Sequence, residues 1–242
     1  MRTRPAPPVR ILVTGFGPFP GVPDNASAPI VAALAKSAAI PGTELITEVI
    51  PVLWSYARGV ARDAIARAKP HAILHFGVSK LLTGFEIETR AFNLSGPKED
   101  CAGATRPSTP LDISGERMLE ATLPPAILLQ ALRREGLPAQ ISRDAGRYLC
   151  NALFYWSLAD AGAGGPLVSF IHMPAFSTGI LPRLTPKEAA AGAQVLVRAA
   201  AQAVLLAKES GYGERRGRKG NGSQTLHGIE RNSRSIARYI PR

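Results

Sequence analysis

The stretch "WSYARGVARDAIARAKPHAILHFG", Trp54 to Gly77, carries two hydrophobic periods in succession. In its first part Trp54, Ala57, Ala61, Ala64, Ile65 and Ala68 recur near one face at helical spacing. From His71 the pattern changes to the apolar run "HAILHFG", which reads as a short buried strand. A helix that leads into a buried strand is half of a βαβ unit, and the remainder of the chain repeats the alternation.

Upstream, "VRILVT" (Val9 to Thr14) reads as a strand and "APIVAALAKSA" (Ala28 to Ala38) as a helix with Ser27 at its N-cap. "ELITEVI" (Glu44 to Ile50) is a second strand, ended by Pro51. Downstream, Phe85 to Leu94 is expected to be extended, Pro125 to Gly136 helical up to its glycine stop, and Pro138 to Ser142 a short strand. A helix around Cys150, beginning near Asp144 or Gly146, precedes the β-rich run "PLVSFIHM" (Pro166 to Met173). The last helix has the clearest start: Thr185 as N-cap, Pro186 in the first helical position and Glu188 completing a capping box, with the helix running to about Lys208.

Short apolar strands alternating with helices suit a mostly parallel sheet covered on both faces. The predicted fold class is α/β, a single-domain three-layer α/β/α sandwich over residues 9–210. It is preceded by a flexible N-terminus, residues 1–8, and followed by a basic, disordered tail, residues 211–242.

The chain of 242 residues has a net charge of +11, and where that charge lies decides what it means. Arg2, Arg4 and Arg10 contribute +3, and the tail contributes +6 from eight basic side chains against Glu214 and Glu230. Residues 11–210 are left with +2, so the domain itself is not built to hold a phosphate backbone. Nucleic-acid binding is expected only weakly, through the tail. With no run of eighteen apolar residues and no signal-peptide core, the protein is expected to be cytoplasmic, with no membrane partner. Two cysteines, Cys101 and Cys150, make no disulfide framework, and the four histidines show no metal-ligand spacing.

Ligands of such folds sit beyond the carboxyl ends of the strands. Four features fall there: the loop from Thr14 to Ser27, the acids Glu86 and Glu88, the helix start with Cys150, and the strand end with His172. A thiolate at a helix N-terminus is favoured by unpaired N–H groups and the helix dipole, whereas Leu149, Leu153 and Phe154 equally suit a packed core cysteine. His172 is a candidate base for that thiol, or else a strand-end histidine bonded to a carbonyl. Glu86 and Glu88 share a face of an extended segment, and composition does not choose between them as the acid that orients an imidazole. Cys101, in a polar loop with no adjacent base, is expected to be incidental.

On "VTGFGPFPG", "IETRAFN", "DAGRYLCN" and "FIHMP", occurring in that order, the chain resembles the pyroglutamyl peptidase I family of cysteine peptidases, also called pyrrolidone carboxyl peptidases. The resemblance implies an α/β/α fold, a cytoplasmic and homo-oligomeric enzyme, and hydrolysis of the N-terminal pyroglutamyl residue from short peptides through a thioester. It implies neither a metal nor an organic cofactor. Residue by residue, it implies Cys150 as nucleophile, His172 as base and Glu88 rather than Glu86 as the orienting acid. Phe16, Phe19 and Tyr148 would bind the lactam ring.

The chain departs from the family's pattern at "GVSK" (Gly77 to Lys80), at Thr89 after the glutamate, at "SGPKEDCAG" (Ser95 to Gly103) and at "NAS" (Asn25 to Ser27). The reactive residues are kept while part of the pocket wall changes. Two alternatives stay open: a related cysteine amidase or peptidase acting on a different small N-terminal group, and a catalytically silent binding homologue.

Overall fold

Strand β1 (Val9–Phe16) is buried at all but one of its positions, and β8 (Leu167–Pro174) at every one. In the computed structural model, which describes residues 6–19, 27–176 and 184–209, these two strands and β3 (Ala72–Ser79) form the middle of a six-stranded sheet. The spatial order is β2 (Thr43–Ile50), β1, β3, β8, β4 (Phe85–Glu88) and β7 (Ala139–Ser142). The first four strands run parallel, β4 is antiparallel to β8, and β7 is parallel to β4.

Strand period two sorts the core into two layers. Val9, Ile11 and Val13 of β1, Leu74 and Phe76 of β3, and Phe85 and Ile87 of β4 join the cluster formed with helices α1 (Ser27–Ala35), α3 (Pro125–Arg134) and α5 (Pro186–Glu209). Leu12, Phe16, Ile73, Val168 and Phe170 join the other cluster, with α2 (Ala57–Ala68) and α4 (Leu149–Ala161). The sheet is therefore covered on both faces, in the three-layer α/β/α arrangement. Each large side chain buried in these layers contributes roughly 1.5–3 kcal/mol.

Helix α5 is long and apolar enough to cross a bilayer by length and composition. Here Ala189, Ala193, Leu196, Ala200 and Val204 lie in the core layer against the sheet. Its predicted capping box is present. The Thr185 hydroxyl accepts the Glu188 N–H at 3.2 Å, and the Glu188 carboxylate accepts the Thr185 N–H at 2.7 Å.

Four expectations are corrected. Helix α2 begins at Ala57 rather than Trp54: the chain first makes a turn in which the Tyr56 and Ala57 N–H groups share the Leu53 carbonyl, and the Trp54 N–H goes to the Asp100 carboxylate at 2.9 Å. The segment from Phe85 to Leu94 is not one extended piece. Thr89 is bound through both its N–H and its hydroxyl to the Ser142 carbonyl, after which β5 (Arg90–Phe92) leaves the sheet for an antiparallel ribbon with β6 (Met118–Glu120). Helix α1 starts at Ser27 itself, whose hydroxyl accepts the Phe16 N–H at 3.0 Å and so ties the helix to the end of β1.

The fourth correction concerns the cysteine helix, which starts at Leu149 rather than near Asp144 or Gly146. Gly146 has φ +82°, a left-handed conformation open to glycine, and Tyr148 is extended at φ −106° and ψ −169°. Both keep the approach out of helical geometry. Helix α5 ends at Glu209, and the tail, residues 211–242, lies outside the described residues along with Asn25 of the first loop.

Candidate active site

Register brings the polar side chains together. β4 and β8 pair Glu86 with His172 and Glu88 with Phe170, so alternation turns Glu86, Glu88 and His172 to the face that α4 covers. The Glu88 carboxylate, fully buried, meets His172 Nδ1 at 2.8 Å through Oε1. Its second oxygen is buried with no hydrogen bond among the described residues. Glu86 is only half-buried, and its carboxylate accepts from Gln140 Nε2 at 2.6 Å on the neighbouring strand. The two acids that composition left equivalent are thus separated by one register step.

Cys150 arrives from the other side as the second residue of α4, partly exposed and free of any disulfide. Its sulfur is near enough to the imidazole of His172 to act on it as a polar partner and as a charge. Burial alone would lower the pKa of His172. The polar interactions with Cys150 and Glu88, with the negative charge of both, outweigh burial and raise it to about 10. At neutral pH the ring therefore keeps its proton between a sulfur and a carboxylate.

The close packing here needs a glycine beneath the sulfur. A Cβ on Gly77 of β3 would lie 2.9 Å from the Phe170 ring and 3.2 Å from Cys150 Sγ. Phe170 in turn lies 4.8 Å from the His172 ring, centroid to centroid. Asn151, fully buried and next to Cys150, accepts the Phe92 N–H at 2.8 Å and donates to the Phe92 and Leu94 carbonyls at 2.8 and 3.0 Å. It satisfies the backbone of β5 as a neighbouring strand would, and so fixes the start of α4 against that ribbon.

The expected ring-binding residues separate into two environments. Phe16 is buried at 3% exposure and packs on Phe170 at 6.5 Å. Phe19 and Tyr148 are half-buried and face each other at 6.2 Å, with Trp54 edge-on to Tyr148 at 5.6 Å. Burial, then the nearby charges of Cys101, Asp100 and Cys150, push the Tyr148 phenol above its ordinary pKa. The open aromatic pair is therefore Phe19 with Tyr148, two residues before the cysteine.

The divergent segment after Leu94 forms a wall of this pair. The Tyr148 hydroxyl donates to the Glu99 carbonyl at 2.8 Å, and Trp54 Nε1 donates to the Lys98 carbonyl at 3.2 Å. Burial disfavours the charge on Asp100, but the N–H groups of Trp54, Ala102 and Ala104 outweigh it and hold the carboxyl below the ordinary range. Cys101 is exposed, its sulfur donates to the Pro18 carbonyl at 3.2 Å, and burial together with the Asp100 charge pushes its thiol pKa up. It joins the wall to the first loop.

Lys98, Trp54 and Asn151 do not stand out in the sequence as site residues. An asparagine directly after the cysteine, in an otherwise apolar helix, is the one signal of this kind. Donor atoms of Glu86, Glu88 and His172 lie within 4.8 Å of one another, a grouping made by strand pairing that histidine spacing could not reveal. Deeper in the same layer His75 is fully buried, with Thr14 Oγ1 at 2.7 Å from Nδ1 and Ser157 Oγ at 2.9 Å from Nε2. Burial lowers its pKa to about 3, so it is neutral.

The model of one family, described as pyroglutamyl peptidase, matches residues 9–209. Among curated proteins, the pyrrolidone-carboxylate peptidase of Gloeobacter violaceus is 32% identical over 168 residues, covering 69% of this chain and 82% of its own. That of Vibrio vulnificus is 32% identical over 186 residues, covering 76% and 83%. Among solved structures, a mutant pyrrolidone carboxyl peptidase from the hyperthermophile Pyrococcus furiosus superposes with a TM-score of 0.74 at 27% identity, covering 80% of this chain and 98% of that one. Pyroglutamyl peptidase I of Bacillus amyloliquefaciens gives 0.74 at 25% identity, covering 80% and 97%.

Proposed function

The chain belongs to the pyroglutamyl peptidase family, and from that premise we propose that it hydrolyses the N-terminal pyroglutamyl residue from peptides, with Cys150, His172 and Glu88 as its reactive residues. The observation that carries this reading is the buried His172–Glu88 pair with the partly exposed Cys150 acting on the same imidazole.

In the proposed mechanism the Cys150 thiolate attacks the carbonyl carbon of the pyroglutamyl residue and the C=O π pair moves to oxygen. The oxyanion needs backbone N–H donors, and the Cys150 N–H at the start of α4 is the candidate for one of them. As the tetrahedral intermediate collapses, the C–N bond breaks and protonated His172 gives its proton to the departing amine, leaving a thioester. Neutral His172 then takes a proton from water, the hydroxide attacks the thioester, and the C–S bond breaks to release pyroglutamate and restore the pair. Proton transfer of this kind contributes about 10²–10⁴-fold. Glu88 holds the ring through Nδ1, which leaves Nε2 as the nitrogen that exchanges the proton. Phe19 and Tyr148 receive the lactam ring on their faces, while Phe16 supports the site from the core.

The test is hydrolysis of a pyroglutamyl-coumarin reporter by the wild type and Cys150→Ala side by side. Turnover by the wild type and its loss by about 10⁴-fold or more in the variant, with an unchanged circular dichroism spectrum, is the expected result. A wild type that releases coumarin from other small acyl groups but not from pyroglutamyl would point to the amidase alternative. Undiminished turnover by Cys150→Ala would remove the nucleophile.

A further inference from the structure

The ammonium of Lys98 lies 5.1 Å from the centre of the Phe19 ring and 4.5 Å from that of Tyr148. Lys98 is exposed and makes no ion pair with a carboxylate among the described residues, so these two ring faces are its partners. Its backbone is fixed, since the Lys98 and Glu99 carbonyls accept from Trp54 and Tyr148 and the Asp100 carboxylate gathers three N–H groups. The four-carbon stem is the mobile part. A positive charge thus rests on the faces that the lactam ring needs, carried on an arm long enough to leave them and too firmly rooted to leave the mouth.

A pyroglutamyl residue has its nitrogen closed into the ring, so the peptide continues only from its carbonyl side. With the ring seated on Phe19 and Tyr148, the rest of the substrate must pass the mouth where the displaced ammonium stands. Resting on the reading of these two rings as the lactam slot, we propose that Lys98 is a specificity-determining residue: it favours substrates with a carboxylate just beyond the scissile bond. That carboxylate is either an acidic side chain or the free C-terminus of a dipeptide. When the lactam ring enters, the ammonium gives up its attraction to the two aromatic faces. A charge pair with an acidic substrate offsets that cost, whereas a neutral substrate leaves it uncompensated.

The experiment compares kcat/KM for pyroglutamyl-glutamate amide and pyroglutamyl-glutamine amide, which differ in one charge, and for pyroglutamyl-alanine as free acid and as amide. The wild type is expected to prefer the charged member by about threefold, mainly through KM, and to lose most of the preference in about 0.5 M salt. Lys98→Met keeps the stem without the charge, and it should abolish the preference and lower KM for the neutral amides. Lys98→Arg should retain the preference. A preference in the first pair alone assigns the side chain as the partner, and in the second pair alone the terminal carboxylate. Equal kcat/KM for both members of both pairs in the wild type, or a preference that survives in Lys98→Met, overturns the proposal while leaving pyroglutamyl hydrolysis standing. A wild type that cleaves none of the four overturns the assigned activity, and this inference with it.

Discussion

At the scale of single residues, the site depends on which side chain holds the imidazole. Glu88 touches Nδ1 within the core, whereas Glu86 answers to Gln140 at the rim. Glu88→Gln removes the charge that fixes the tautomer and balances the imidazolium, and should lower kcat by about 10²–10⁴-fold. Glu86→Gln is expected to cost less than about tenfold in the same assay. The reverse order would show that the wrong acid is assigned. The proton on His172 makes a separate prediction. Its raised pKa comes partly from Cys150, so the ring titration followed by NMR should move down from about 10 in Cys150→Ala. An unmoved titration would mean that the sulfur does not touch the ring. Both acids were visible in the sequence as two residues on one face of a strand. The choice between them came from resemblance alone until strand pairing separated them.

Among the secondary-structure elements, the critical meeting is β3 under the start of α4. Gly77→Ala pushes a methyl into the Phe170 ring and towards Cys150 Sγ, and overpacking of that kind costs about 1–3 kcal/mol. The variant should show a lower Tm together with a lower kcat, because Phe170 also abuts His172. A variant that loses stability and keeps full kcat would show that the ring yields away from the site. The cores of the elements were legible: β1, β2, β3, β8 and α5 follow the hydrophobic period and the capping box almost to the residue. Their ends were less so. Trp54 continues the apolar stripe of α2 yet stays outside the helix, and its N–H goes to Asp100, 46 residues away, a partner that periodicity does not report. The β5–β6 ribbon was missed for the same reason, since its pairing is long-range and its strands are three residues each.

The molecule as a whole should respond to acid through a histidine that takes no part in the chemistry. His75 is neutral in the fold with a pKa of about 3, against 6.5 when unfolded. The unfolded chain therefore binds the extra proton. The stability due to neutral His75 is complete above pH 6.5 and falls by up to about 1.4 kcal/mol per pH unit as pH drops towards 3. His172 has the opposite sign: its contribution is full below pH 6.5 and is lost as pH rises through about 10. Thermal unfolding between pH 7 and 5 should show a falling Tm that is flatter in His75→Gln, and parallel curves for the two proteins would refute the assignment. What the sequence determined by itself was local: which runs were apolar at period two or 3.6, hence two covered faces and a cysteine and a histidine at the mouth of the sheet. Only the tertiary structure decided that Glu88 rather than Glu86 meets the ring, that Cys150 stands at the second position of its helix, and that Lys98 lies on Phe19 and Tyr148. Periodicity reports the face on which a side chain lies. Register and close contact between segments dozens of residues apart arise only when the layers pack.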